Sequence, residues 1–395
     1  MPTPASSEGP AKSPPSDAAP AGPQVPRAGR LASLDALRGF AMFWLLGGAQ
    51  IVRSIAEGSP PGTWLASLAE QFTHVPWEGF RFYDLIFPLF LFCIGVAIPL
   101  SVNARIAAGE TRASILRHAI ARFGWMVFFG LWVNGNLLTW DPAKMRLSYS
   151  VLMMLGFGYV IAMALVLFAP FRWQAATTAA ILVGYWAAQM FVPVPGHVPG
   201  EFREGIILSD WIYDGTIGLL GAPWRSPFGR GWPVTLWTHG ATAMLGVFAS
   251  SFIAGSTDPA KRLRVLVMAG LGCLLAGWLW GLHMPIVKNR WTSTYVLWCG
   301  GWSYLLLALF HWLIDVRGNR AWSWLFVVIG CNSILAYLIA TVFMAPFRSL
   351  VAILFGGLEP LVGQPCHRIL MTVAAYGSAW LLLAHLRRRQ IFLRL

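Results

Sequence analysis

The sequence predicts an all-α fold, a polytopic membrane helix bundle of about ten transmembrane spans with both termini in the cytoplasm. Of its 395 residues 57% are hydrophobic and only 11% are charged, whereas an ordinary soluble domain has about 25% charged residues. The 21 Trp and 25 Phe residues exclude an intrinsically disordered chain. The net charge of +13 does not indicate a nucleic-acid partner, because the arginines are scattered between apolar stretches and form no basic stripe. At about 20 residues a span, a membrane protein of this length has room for about ten.

Each predicted span is a long apolar stretch that ends at Pro, Gly or a charged residue, as a helix in a bilayer requires. The ten stretches are 36–56, 82–101, 114–136, 148–169, 175–193, 236–255, 265–283, 294–314, 322–343 and 369–386. The apolar segment 346–357 is shorter and is predicted to be re-entrant or interfacial. Residues 1–30 are rich in Pro, Ala, Ser and Gly and are predicted to form a disordered tail. The rest, 31–395, is predicted to be one transmembrane domain.

The distribution of basic residues between the loops predicts the orientation in the membrane. With the N-terminus in the cytoplasm, the inner loops and tails hold 18 basic and six acidic residues, and the outer side holds 11 and 10. An eleventh span would move the basic cluster 387–389 to the outer side. We therefore expect a multi-pass protein of the cell (inner) membrane whose excess positive charge lies on the cytoplasmic face.

The first candidate for chemistry is the segment 73–88, at the outer start of the second span. His74 lies just before the membrane, and the carboxylates Glu78 and Asp84 are close to it in sequence. A carboxylate at the start of a span is costly unless it is paired or used. An imidazole that a carboxylate orients suits a general base or a nucleophile. The alternative is an interfacial histidine among the aromatic residues of the membrane boundary.

Two further polar groups lie on predicted spans. Asp35 and Arg38, at the inner mouth of the first span, are three residues apart and can pair on one face of a helix. A helix cap beside an arginine of the cytoplasmic face is the alternative. Asn332 lies in the middle of the ninth span, where an amide most often bonds to a neighbouring helix.

Two basic residues lie on the outer side, where basic residues are disfavoured in short loops. Lys288 and Arg290 can neutralise an acidic ligand or pair with outer carboxylates such as Asp84 or Asp214, and a solvated loop is the alternative. The five cysteines show no metal-ligand spacing, so no metal site is predicted.

Taken together, four blocks resemble one family, the membrane acyltransferases like heparan-α-glucosaminide N-acetyltransferase and its bacterial relatives. In chain order the blocks are 30–39, 74–79 running into 84–88, 285–295, and 315–316 joined to 330–333 and Tyr337. The resemblance covers about 31–343. It implies an acetyl-CoA-dependent transferase that moves an acetyl group from cytosolic acetyl-CoA to an amino-sugar or other glycan acceptor on the outer side.

The resemblance also implies roles for individual residues. The family's essential histidine falls on His74, as general base or transient acetyl carrier. We expect Asp84 or Glu78 to orient it, and Asn332 or a donor near Ser293 to stabilise the developing oxyanion. The residues expected to bind acetyl-CoA are Asp35, Arg38, Arg117, Arg122, Arg264 and Lys288. Those expected to bind the acceptor are Gln50, Trp77, Asp214, Arg290, Trp291 and Ser293.

Other functions stay open at this point. A transporter or lipid-linked sugar flippase without covalent chemistry would also have buried polar residues and broken helices. An inactive relative is a third alternative. The partners that we expect are the lipid bilayer and a glycan acceptor, with no nucleic acid, and a homodimer is left open.

Overall fold

A computed structural model of the chain describes residues 31–135, 138, 140–141, 144, 150–220 and 231–393. The predicted tail 1–30 lies outside these described residues. Within them the chain is helical and contains no β-strand, only an isolated antiparallel bridge between Glu78 and Val287. The predicted all-α class is confirmed.

The described residues form thirteen helices, numbered here in chain order. They are α1 (Ala32–Ala56), α2 (Trp64–Glu70), α3 (Phe82–Ala107), α4 (Arg112–Gly135), α5 (Val151–Phe168), α6 (Phe171–Phe191), α7 (Leu208–Gly215), α8 (Leu236–Ala254), α9 (Pro259–Gly281), α10 (Ser293–Val316), α11 (Trp324–Cys331), α12 (Ser333–Val362) and α13 (Gln364–Arg388). Helices α1, α10 and α12 contain π-helical turns, at Trp44–Gly48, His311–Val316 and Ile339–Phe343 respectively. Short 3₁₀ turns lie at Ile217–Leu220 and Lys288–Arg290.

Seven of these helices, in the part of the chain that the structure describes, are long and apolar enough to cross a membrane. They are α1, α3, α5, α9, α10, α12 and α13. The stretches predicted at 114–136, 175–193 and 236–255 fall on α4, α6 and α8, which have 24, 21 and 19 residues. The seven helices support a multi-pass membrane protein, and the count of about ten spans and the orientation stay predictions.

The ninth predicted span, 322–343, differs from the observed helices. The helix breaks at Asn332, whose backbone angles are φ −126° and ψ 43°. Helix α12 then runs from Ser333 to Val362, so 346–357 is its second half and not a separate re-entrant element. The π-helical turn Ile339–Phe343 ends three residues before Pro346, a residue that has no N–H to donate within the helix.

The bundle is organised around α3, which is the most enclosed of the seven apolar helices. In its most apolar window 72% of the residues are buried, against 17% in α9. Glycines let the central helices approach closely: a Cβ on Gly246 of α8 would lie 2.0 Å from the carbonyl oxygen of Phe92 on α3. Gly39 of α1 and Gly330 of α11 make the same kind of contact. Small residues at such positions are typical of helix pairs in membranes.

The start of α10 also shapes the loop before it. The Thr292 hydroxyl accepts a hydrogen bond from the Tyr295 amide at 3.3 Å, which caps the helix. The same oxygen accepts one from the Val287 amide at 3.1 Å. One side chain therefore begins the helix and fixes the turn that carries Lys288.

Candidate active site

Two loops that are about 200 residues apart in sequence lie side by side. The Gly79 amide donates to the Ile286 carbonyl at 2.9 Å, next to the bridge between Glu78 and Val287. The Asn289 side-chain amide donates to the Pro76 carbonyl at 3.1 Å. These backbone contacts set the segment that carries His74 against the turn that carries Lys288.

His74 is paired with Asp84 of α3. His74 Nδ1 lies 2.8 Å from Asp84 Oδ1. The other carboxylate oxygen, Oδ2, accepts from the amides of Arg81 at 3.1 Å and Val75 at 3.4 Å. Asp84 is 1% exposed and lies in the first turn of its helix, where the helix dipole favours a negative charge. Of the two carboxylates predicted to orient His74, the structure pairs it with Asp84, whereas the Glu78 side chain is exposed.

Lys288 completes a three-residue cluster with His74 and Asp84. Its Nζ lies 2.6 Å from His74 Nδ1, 3.0 Å from His74 Nε2 and 3.2 Å from Asp84 Oδ1. Since the two ring nitrogens flank one carbon atom, an atom this close to both lies over the ring and not in its plane. Burial lowers the pKa of Lys288, and the Asp84 carboxylate partly opposes this. The predicted pairing of Lys288 with Asp84 is confirmed.

Two residues that the sequence reasoning missed hold His74 in place. Tyr83 stacks on its imidazole, with the ring centroids 4.8 Å apart and the planes at 27°. The Arg81 guanidinium donates to the Thr73 hydroxyl at 2.7 Å and to the His74 carbonyl at 3.2 Å. Both residues lie in the candidate segment 73–88, shortly before Asp84, so their place in that segment was the available signal.

A cavity of about 1060 Å³ connects this cluster to the opposite end of α1. His74 and Lys288 line one end, and Arg38 and Arg122 line the other. Arg38 lies in the second turn of α1, 18 residues before the end of that helix, whereas His74 follows α1 in sequence. The helix bends between them at Gly47, whose backbone angles are φ 172° and ψ −11°. One wall is a stripe along α3 formed by Tyr83, Ile86, Phe87, Phe90 and Ile94. The cavity is as large as the largest typical small-molecule sites, which reach about 1,000 Å³.

The far end of the cavity is basic. Arg38 donates to Asp35 at 2.6 Å, which confirms their predicted pairing, and its Nη2 lies 3.5 Å from the Gly330 carbonyl. The Arg122 guanidinium lies 5.0 Å from the centre of the Tyr159 ring. The Nε atoms of Arg38 and Arg122 are buried and have no hydrogen-bond partner among the described residues. Of the other arginines expected to bind acetyl-CoA, Arg117 and Arg264 are exposed and do not line the cavity.

Arg290 lines the cavity but is bound within the protein. It is 2% exposed, and its Nε and Nη2 donate to Asp210 at 2.6 and 3.0 Å. Asp210 is fully buried and also accepts from the Gly205 amide at 2.7 Å. The Trp77 ring lies 5.0 Å from the guanidinium. The structure therefore gives Arg290 and Trp77 a place in one buried ion-pair cluster.

Other residues expected to bind the acceptor are divided between the cavity and the core. Trp291 and Asp214 line the cavity, and Trp291 donates to the Thr242 hydroxyl at 2.9 Å and stacks on His239 at 4.1 Å. Gln50 accepts from Arg53 at 2.8 Å and does not line the cavity.

The two groups expected to stabilise an oxyanion are placed away from His74. The Asn332 amide donates to the Ile391 carbonyl and accepts from the Leu393 amide, both at 3.0 Å. The Ser293 hydroxyl donates to the Leu182 carbonyl at 2.7 Å. Neither residue lines the cavity. The reason is local: Asn332 occupies the break between α11 and α12, and Ser293 points from the first turn of α10 toward α6.

One family model and two curated proteins match this chain. A family model described as a domain of unknown function, DUF5009, matches residues 30–192. The chain is 25% identical to the heparan-alpha-glucosaminide N-acetyltransferase of Homo sapiens, over 81% of this chain and 55% of that protein. It is 25% identical to the Mus musculus protein of the same name, over 67% of this chain and 48% of that protein. The predicted resemblance is confirmed.

The extent of this similarity is limited in two ways. The chain spans about half the length of the curated relatives that it matches. The range of the family model includes His74 and Asp84 and ends before Lys288. The similarity to these N-acetyltransferases therefore supports an acyltransferase-like function at the level of the family.

Proposed function

We propose that the chain is a membrane acyltransferase that moves an acetyl group from acetyl-CoA to an amine or hydroxyl of a glycan acceptor, in the cell (inner) membrane. The observation that carries the proposal is the cavity that joins the cluster of His74, Asp84 and Lys288 to the arginines Arg38 and Arg122. The N-acetyltransferases to which the chain is similar supply the reaction class.

The pairing of His74 with Asp84 supports a role in proton transfer. A buried carboxylate 2.8 Å from Nδ1 accepts a hydrogen bond from the N–H of that nitrogen, so the lone pair is on Nε2. Nε2 can then accept the proton of the acceptor as it attacks the thioester, or attack the thioester itself. Asp84 stabilises the imidazolium in the first case and the acylated imidazole in the second.

The two ends of the cavity suit the two substrates. CoA carries several phosphate charges, which arginine binds with paired N–H donors. Arg38 and Arg122 offer half-buried guanidinium groups, each with a buried Nε, at the end that the charge distribution predicts to be cytosolic. The acetyl group would then extend along the apolar stripe of α3 toward His74. The cavity wall next to Lys288 includes Glu204 and Asp214, whose carboxylates suit an acceptor that carries an amine.

Acetyl transfer by purified protein tests the proposal. We expect formation of N-acetylglucosamine from acetyl-CoA and glucosamine, and a loss in His74→Ala of about 10²- to 10⁴-fold, the usual contribution of a positioned general base. His197→Ala is the matched control, because His197 is exposed and does not line the cavity. Full activity of His74→Ala would refute the mechanism. Movement of labelled glucosamine into liposomes without acetylation would favour the transporter.

A further inference from the structure

The position of Lys288 is unusual for a residue expected to bind CoA phosphates. Its ammonium group lies at the His74 end of the cavity, over the imidazole and 3.2 Å from Asp84. Its side chain is 18% exposed. Arg38 and Arg122, which also line the cavity, lie at the other end.

We propose that Lys288 is a catalytic residue, whose ammonium group stabilises the oxyanion that forms when the acetyl thioester is attacked beside His74. This assignment rests on the proposed acyltransferase function. The atom that attacks, or that takes the proton of the attacking group, is His74 Nε2, and Lys288 Nζ lies 3.0 Å from it. A carbonyl oxygen on a carbon bonded or adjacent to Nε2 is within hydrogen-bonding reach of this ammonium group.

The charges of the cluster match those that the reaction creates. Before attack, the negative Asp84 and the positive Lys288 balance each other. Attack creates a negative oxyanion, which lies within reach of Lys288, and a positive imidazolium, which Asp84 stabilises against the repulsion of the same ammonium group. In many enzymes, groups that are already oriented toward a developing charge make the largest single contribution to the rate enhancement.

The other candidate donors are less suitable for this role. Asn332 and Ser293 bond to backbone groups elsewhere. Arg290 is the other cation at this end of the cavity within the described residues, and Asp210 binds two of its nitrogens. Lys288 is thus the cation that both touches His74 and faces the cavity.

In the complete step, the acceptor amine attacks the acetyl carbon and its proton passes to His74 Nε2. The carbonyl electron pair moves to the oxygen that Lys288 stabilises. When the carbonyl re-forms, the carbon–sulfur bond breaks and the CoA thiolate takes the proton from His74. The products are the acetylated amine and CoA, with no oxidant, reductant or metal consumed.

Diethyl pyrocarbonate offers a test that does not depend on acetyl transfer. A neutral imidazole attacks its carbonyl through a tetrahedral oxyanion and releases ethyl carbonate. The rate at which His74 is modified, measured by mass spectrometry relative to the exposed His197 in the same sample, reports oxyanion stabilisation at this site. We expect Lys288→Met to lower this ratio about tenfold or more and Lys288→Arg to restore most of it. An unchanged or higher ratio in Lys288→Met would overturn the assignment.

Turnover gives a second and separate readout. Loss of one oxyanion donor lowers kcat by about 10²- to 10³-fold, and we expect this in Lys288→Met with the KM for acetyl-CoA unchanged. Lys144→Met is the matched control, since Lys144 is an exposed lysine that pairs with Asp141 at 3.0 Å. A raised KM with unchanged kcat would make Lys288 a CoA-binding residue and overturn its catalytic role. If the wild-type protein transfers no acetyl group, the proposed function fails, and the modification rates alone decide the assignment.

Discussion

Asp84→Asn removes the charge that orients His74 without removing side-chain volume. In the native cluster both carboxylate oxygens accept hydrogen bonds, Oδ2 from two backbone amides and Oδ1 from His74, with Lys288 beside it. Asparagine has one acceptor oxygen and one donor NH₂. If the oxygen stays with the backbone amides, the NH₂ faces His74 Nδ1 and makes that nitrogen an acceptor. The hydrogen of the neutral ring then moves to Nε2, which can no longer accept a proton.

The magnitude follows from the bonds that are lost. A hydrogen bond to a charged group contributes about 1.5–3 kcal/mol, and about 1.4 kcal/mol corresponds to a factor of ten in rate. The lost contact between Asp84 and His74 therefore accounts for a decrease in kcat of about 10- to 150-fold. The wrong tautomer adds to this, since the corresponding change in a serine protease lowers kcat about 10⁴-fold. We expect a total decrease in kcat of about 10²- to 10⁴-fold.

The assay is acetyl transfer to glucosamine by the purified variant, with the KM for acetyl-CoA measured in parallel. Glu78→Gln is the matched control, because the sequence offers Glu78 and Asp84 equally as the orienting carboxylate and the structure places Glu78 at the surface. We expect Glu78→Gln to keep kcat within about twofold, because an exposed charge interacts weakly across water. A kcat for Asp84→Asn within threefold of the wild-type value would refute the orienting role, as would a loss of activity confined to Glu78→Gln.

Three further outcomes are expected. Burial lowers the pKa of Lys288 below its ordinary value of 10.5, and its ammonium is the active form, so activity should fall as the pH rises through this lowered pKa. In a pH–rate profile of Lys288→Arg the fall should move to higher pH, because a guanidinium stays charged there. An identical profile in the two proteins would contradict this role. Asp210→Asn removes the buried carboxylate that binds Arg290 through two hydrogen bonds and leaves it only the exposed Glu204 at 3.6 Å, so it should cost about 3 kcal/mol of stability and lower the thermal midpoint in detergent. Arg122→Met should weaken acetyl-CoA binding about tenfold or more by calorimetry, whereas Arg117→Met on the same helix should not, and equal effects would exclude a phosphate site at Arg122.

The helices were the most predictable part of the fold. A span in lipid must satisfy its own backbone and present apolar side chains, so its sequence is a long apolar stretch whatever its neighbours are. The predicted helix bounds and the observed ones differ over 322–357. Asn332 breaks the helix although it is neither Gly nor Pro, and Pro346 lies inside a helix, after a π-helical turn. Such breaks depend on contacts of the side chain with other parts of the chain, here the backbone of Ile391 and Leu393.

The cluster of His74, Asp84 and Lys288 was predictable in part. His74 and Asp84 are ten residues apart, and a carboxylate at the start of a span must be paired, so local sequence indicated the pair. Lys288 joins them across 214 residues, through a bridge between two loops that have no periodic pattern. The resemblance to a family brought these blocks together, but it did not assign the partners within them.

Lys288 and Arg290 show why charge alone does not identify a ligand site. Both are basic, both were expected to bind substrate, and both line the cavity. The 3₁₀ turn Lys288–Arg290 and the left-handed conformation of Trp291, at φ 46°, direct the two side chains to different partners.

Lys288 reaches Asp84, which it shares with the partly exposed His74, so its ammonium group remains beside a reactive nitrogen. Arg290 reaches Asp210, which has no exposed surface, and two hydrogen bonds hold it there. A buried guanidinium bound on two nitrogens would have to give up that pair to bind a substrate, at a cost that few ligands can offset. The same turn therefore gives one cation a role in the chemistry that we propose and the other a role in holding the loop that presents it.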